Sequence, residues 1–174
     1  MELHQHRLYD KAVQYYLKFI ELENLTIEDK IHVCTKLADC YYYLGNREKE
    51  REFTFKSFAY DIPRPESCCR WGYYFMENEQ FHQVVFWYKL ATELPPPDNP
   101  WAITNHVSRT WLPHMQLGLC YYQLGDYEQS YRQNKIASEY LPNDQGIINN
   151  IHLLEELISK KSNLKPIHDH KSHI

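Results

Sequence analysis

Apolar positions in this chain recur at helical spacing. Ile27, Ile31, Cys34, Leu37, Ala38, Tyr41 and Leu44 advance mostly by threes and fours and share one face of a helix. Thr26 stands where an N-cap belongs, with Asp29 three residues on, an acidic form of the capping box. Gly45 closes that helix. A second runs from about 47 to 60 and is ended by Ile62-Pro63 and Pro65. The same reading predicts helices near 66–78 and 80–94, then a halt at Pro95-Pro96-Pro97-Asp98-Asn99-Pro100. A further pair covers about 109–124 and 126–141 and stops at Pro142. Asp144 is placed to cap a last helix through Ile148, Ile151, Leu154, Leu157 and Ile158. Ahead of these, Tyr9, Ala12, Tyr16 and Phe19 mark a first helix over 9–23. Periodicity ends at Ser162, so the tail 162–174 is expected to be disordered.

The pattern repeats. Cys40-Tyr41-Tyr42-Tyr43-Leu44-Gly45-Asn46 returns as Cys120-Tyr121-Tyr122-Gln123-Leu124-Gly125-Asp126. Ala12, Glu50, Val84 and Ser130 occupy one slot. From Ala12 to Glu50 is 38 residues, from Glu50 to Val84 is 34, and from Val84 to Ser130 is 46. The long last interval holds an insertion at about 95–108. Self-similarity at this period means one supersecondary unit stacked on copies of itself. The predicted fold is all-α, with antiparallel helix pairs stacked over 1–161 and a capping helix at about 144–161.

Composition narrows the function. The 174 residues suffice for one domain, and the net charge of −4 offers no basic field for nucleic acid. No apolar run approaches the roughly 20 residues of a membrane span, and Met1 to His6 has no signal-peptide core. A cytoplasmic protein with neither membrane nor nucleic-acid partner is expected. Cys40 and Cys120 fall in the same slot of two repeats, Cys68 and Cys69 are adjacent, and no CxxC occurs. The five cysteines therefore read as buried, reduced thiols.

Gly118, Tyr121, Gly125-Asp126-Tyr127, Ala137 and Pro142 together carry a family pattern, which resembles that of tetratricopeptide repeats. Ala38, Gly72 and Gly118 would let two helices approach closely, with Tyr41, Phe75 and Tyr121 filling the space beside them. Two positions depart from the pattern: Glu50 stands for the usual Ala, and Glu79 for the Gly. The resemblance implies a right-handed superhelix. A narrower likeness covers nearly the whole chain. Lys36-Leu37-Ala38-Asp39-Cys40-Tyr41, Phe86-Trp87-Tyr88-Lys89-Leu90-Ala91, Trp111-Leu112-Pro113-His114 and Leu119-Cys120-Tyr121-Tyr122-Gln123-Leu124-Gly125 are similar to the C-terminal repeat region of certain bacterial family-2 glycosyltransferases. There, a nucleotide-sugar domain precedes the repeats. The likeness implies a protein-interaction or dimerisation module, whose partner is a protein or peptide, a second copy or an upstream catalytic domain. The alternative is a free-standing adaptor or peptide sensor.

The chain shows no strand alternation and no Asp-x-Asp, so catalysis by this chain alone is not expected. No cofactor or metal is expected. His168-Asp169-His170 with His173, and His4 with His6, read as adventitious binders, and His114 as a structural side chain. The concave face of the stack would be lined by Lys36, Asp39 and Tyr42, then Arg70, Tyr73 and Met76, then Met115, Gln116, Leu119 and Tyr122. A groove that clamps a C-terminal carboxylate needs several cations, and only Arg70 and Lys36 qualify. In the insertion, Trp101, His106, Arg109 and Trp111 either anchor an interface or plug the gap between repeats.

Overall fold

The computed structural model describes residues 2–97 and 105–163. Residues 164–174 of the predicted tail, with the cluster His168, Asp169, His170 and His173, and Trp101 of the insertion lie outside the described residues. Eight α-helices and no strands occur among the described residues. They are α1 (Glu2–Ile20), α2 (Ile27–Tyr43), α3 (Arg47–Ser57), α4 (Pro65–Glu77), α5 (Phe81–Glu93), α6 (Trp111–Gln123), α7 (Tyr127–Tyr140) and α8 (Gln145–Asn163). A 3₁₀ turn, His106–Arg109, precedes α6.

Local chemistry sets these boundaries. The Thr26 hydroxyl accepts from the Asp29 N–H at 3.1 Å, and the Asp29 carboxylate accepts from the Thr26 N–H at 3.1 Å, closing the capping box. Asn46, Asp126 and Asp144 cap α3, α7 and α8 through the amides of Lys49, Gln129 and Ile147. α2 and α6 end on glycines with left-handed backbone, Gly45 at φ 73° and Gly125 at φ 74°. Between α4 and α5 the same slot is Glu79, held at φ 55° without a glycine's freedom.

These tight turns fold the chain back, so the pairs α2/α3, α4/α5 and α6/α7 pack side by side. Their antiparallel sense shows in α6/α7. The Ser130 hydroxyl donates to the Gly118 carbonyl at 2.7 Å, and one turn back on α6, His114 meets Gln133 at 2.8 Å. The close approach predicted for the glycines is present. A Cβ on Gly72 would lie 2.6 Å from the Tyr88 ring. Gly72 to Tyr88 and Gly118 to Asn134 are the same step along the repeat.

The apolar interior falls into three parts. Val13, Leu37, Ala38 and Phe53 centre the first, across α1 to α3. Cys68, Val84, Tyr88, Leu117 and Cys120 centre the second, across α4 to α6. Ala137, Ile147 and Ile151 join α7 to the terminal helix. The α3/α4 boundary is different, because these two helices pack far less closely than members of a pair. Long side chains bridge it instead. Phe58 and Trp71 both stack on Trp87, with centroids 6.3 and 5.9 Å apart, and Arg51 lies over the Tyr74 ring.

An unpaired first helix over 9–23 would leave some of Ala12, Tyr16, Phe19 and Ile20 uncovered, and that expectation needs correction. Ala12, Tyr16 and Ile20 do not form an open face on α1: with Tyr9 they pack on the core under α2 and α3. α1 starts at Glu2 and pairs with α2, which covers that side. Phe19 does stay out, at 41% exposure, and it continues a stripe of Leu8, Tyr15 and Leu22. At the other end α8 runs to Asn163, slightly past the predicted limit.

Candidate functional site

A groove of about 690 Å³ opens across the loosely packed α3/α4 boundary. One wall is α2, with His32, Thr35, Lys36, Asp39, Tyr42 and Tyr43. The opposite wall is the first half of α4, with Glu66, Cys69, Arg70 and Tyr73. Glu50 and Tyr88 reach its floor from α3 and α5. Asn105 and Ser108 from the end of the insertion, with Leu112 and Gln116 of α6, close the far side.

Of the predicted concave residues, Lys36, Asp39, Tyr42, Arg70, Tyr73 and Gln116 line this groove. Met76 packs into the α4–α6 core and Met115 against Ala137, Ile147 and Ile151. Leu119 and Tyr122 are exposed farther along α6, where Tyr122 lies against Tyr127. In the insertion, Arg109 donates to the Leu94 carbonyl at 3.0 Å and the Pro95 carbonyl at 2.9 Å, tying its two ends together. His106 is exposed and its carbonyl accepts from Thr110, while Trp111 is half-buried at the start of α6. The Ser108 carbonyl accepts from the Cys69 thiol.

Ion pairs dominate the groove. Glu50, 3% exposed in a slot where small residues are usual, accepts from Arg47 and, at 3.0 Å, from Arg70. Arg70 also pairs with Asp39, and Arg47 with Glu77. Arg47 further lies 4.8 Å from the Tyr42 ring, which meets Tyr73 edge-on. Arg64, buried before α4, bonds Glu28 at 2.7 Å and Asp61 at 2.8 Å. Lys36 lies 3.7 Å from Asp39. Every cation on the walls thus has a carboxylate, and the pairs replace apolar packing where α3 and α4 stand apart.

The carboxylates outnumber the cations. Glu28, Asp29, Asp39, Glu50 and Glu66 face Lys36, Arg64 and Arg70. Two of them, Asp29 and Glu66, pair with no cation: Asp29 is held by Thr26 in the capping box, whereas Glu66 Oε2 is buried and has no hydrogen-bond partner. Burial pushes its carboxyl above the ordinary value, against the pull of its own backbone N–H, Arg109 and Arg64. Across the groove, burial holds His32 below the ordinary histidine value, with Lys36 adding to the effect.

Glu66, Arg47, Arg64 and Glu50 were not among the residues predicted for the site. The repeat holds a signal for one of them, since Glu66 occupies the slot of His32 one repeat on. For Glu50, the signal is a carboxylate in a slot meant for a small side chain. Arg47 and Arg64 sit at helix starts, where periodicity says nothing of direction.

No helix among the described residues is long and apolar enough to cross a membrane. The described residues hold no group of three or more His, Cys, Asp or Glu placed to bind a metal ion. No family model matches the chain, and no curated protein matches it.

Proposed function

We propose that the chain is a protein-interaction module of the tetratricopeptide-repeat type, a right-handed stack whose groove across α2, α4 and α6 takes an extended segment of a partner protein. The observation that carries this reading is the groove itself. It is of ligand size, it is built from equivalent slots of successive repeats, and it is floored by a buried ion-pair network that fixes its walls. The module would form the C-terminal part of a bacterial family-2-type glycosyltransferase, as the sequence likeness implies, with the transfer chemistry in another domain. A free-standing adaptor would use the same groove. The five buried thiols suit a reducing compartment, and we place the protein in the cytoplasm. A random peptide library presented to the full chain tests the reading. Selected peptides should lose affinity when Tyr42→Ala or Gln116→Ala alters the walls. A library that yields no binder, or binders indifferent to both changes, overturns it.

Dimerisation is the second reading, favoured by the exposed stripe of Leu8, Tyr15, Phe19 and Leu22 on and just beyond α1. Light scattering over a concentration series tests it. Association that Phe19→Glu weakens supports it, and a strictly monomeric wild-type chain excludes it.

A further inference from the structure

The boundary between α3 and α4 differs in kind from the next one along the stack. Among the described residues, the first core draws only on side chains from Tyr9 to Tyr60 and the second only on those from Cys68 to Tyr121, so neither core crosses it. Across α5/α6, by contrast, Val84, Tyr88, Leu117 and Cys120 share one core. What crosses α3/α4 on the groove side is charge. Arg64 pairs with Glu28, Arg70 with Asp39 and Glu50, and Arg47 with Glu77, so the pairs run from the start of α4 to its end. Glu50 holds the centre. It is 3% exposed and accepts from Arg47 of its own helix and from Arg70 of α4. Tyr42 and Tyr73 also meet there, and both are exposed. Away from the groove the link is aromatic: Phe58 and Trp71 stack on Trp87, and none of the three lines the groove.

Opening an apolar boundary exposes its core to water. Opening this one on the groove side trades ion pairs for hydrated charges, and for buried pairs the attraction and the desolvation cost nearly cancel. Residues 58–64, which join α3 to α4, lie outside any helix and can absorb a rotation. We propose that α1–α3 and α4–α8 are two units that rotate about the stack of Phe58, Trp87 and Trp71, and that the network of Arg47, Glu50, Arg70 and Asp39 is the latch that holds the groove at its present width. Rotation changes that width, so a groove ligand selects among widths. The latch belongs to the free chain and its test needs no ligand, so its failure leaves the peptide reading untouched.

Distances between two pairs of spin labels in the full chain test this. Tyr43→Cys with Leu119→Cys joins α2 to α6 on the groove side. Phe55→Cys with Gln83→Cys places labels one turn from Phe58 and from Trp87, at the pivot. All four positions are exposed and the five native thiols are buried, so a thiol-directed label goes to the introduced cysteines. The wild type should give one groove distance. Glu50→Gln and Arg70→Gln should each add a longer one, with the pivot distance unchanged and the helix content intact by circular dichroism. Rising salt should do the same to the wild type, because Asp39 and Glu77, the outer carboxylates of the pairs, are 36% and 41% exposed. Should neither variant fold, the salt series decides alone. A groove distance that moves under none of these changes overturns the proposal. So does a pivot distance that lengthens together with it, because the two units would then be separating and not rotating.

Discussion

Gly118 lies directly against Asn134. A Cβ at position 118 would sit 2.5 Å from Asn134 Nδ2. Asn134 cannot simply swing aside: it is 4% exposed, Nδ2 donates to the Ser130 carbonyl at 2.9 Å, and Oδ1 accepts from Asn150 at 3.3 Å. Gly118→Ala should therefore cost about 1–3 kcal/mol, from overpacking and from displaced hydrogen bonds. Asn134→Ala should make room, so the double variant should be more stable than the sum of the single effects allows. Denaturant melts of all four proteins measure this coupling. Strict additivity would mean that the amide moves without cost.

The turn between α4 and α5 invites the reverse change. Glu79 is held at φ 55°, where Gly45 and Gly125 stand in the other repeats. Left-handed backbone costs an ordinary residue about 1–2 kcal/mol, and the glycine's extra freedom in the unfolded chain returns part of that. Glu79→Gly should stabilise by about 0.5–1 kcal/mol, and Gly125→Glu should destabilise. A lower melting temperature for Glu79→Gly would show that the glutamate side chain compensates elsewhere.

The helices were legible in the sequence because their signals are local. Thr26 and Asp144 cap where they were expected, and Gly45 ends its helix as predicted; Asn46, Asp126 and Gly125 do the same work in the equivalent slots. The site was legible only in part. Lys36 and Arg70, or Asp39 and Tyr73, are found by stepping one repeat along, and each of them lines the groove. Met76 and Met115 follow the same step yet face neighbouring helices, since the α3/α4 junction is looser than those after it. That looseness comes from side chains far apart in sequence, Arg47 with Glu77 and Arg64 with Glu28, which no periodicity encodes.

The cysteines offer a chemical check on the interior. Cys68, Cys69 and Cys120 are fully or nearly buried, and burial pushes each thiol up to about 12. Burial raises Cys34 to about 11. At pH 8 the native thiols should be almost wholly protonated and unreactive. A thiol reagent should label them only as the chain unfolds, at a rate that rises with denaturant. Rapid labelling of native protein would show that the α4–α6 core opens far more readily than its packing implies.

The unpartnered Glu66 should leave a mark on the pH dependence of stability. An acid whose folded value is raised holds its proton more tightly in the native state than in the unfolded one. Below the ordinary value of 4.5 both states are protonated and the group contributes nothing. As pH rises past 4.5 the unfolded chain ionises first, and stability falls until pH passes the raised folded value. The charges around it set the balance: Arg109 on the 3₁₀ turn and Arg64 before α4 favour the carboxylate, and Asp39 on α2 opposes it. Glu66→Gln removes this loss. The stability of the variant relative to wild type should therefore climb with pH from about 4.5 upward, then level off. Urea melts of both proteins between pH 4 and 8 give the comparison. A difference that stays flat would mean that the carboxylate is as well solvated folded as unfolded. A climbing difference would show that burial of the Glu66 carboxyl costs the folded protein stability once the group ionises in the unfolded chain.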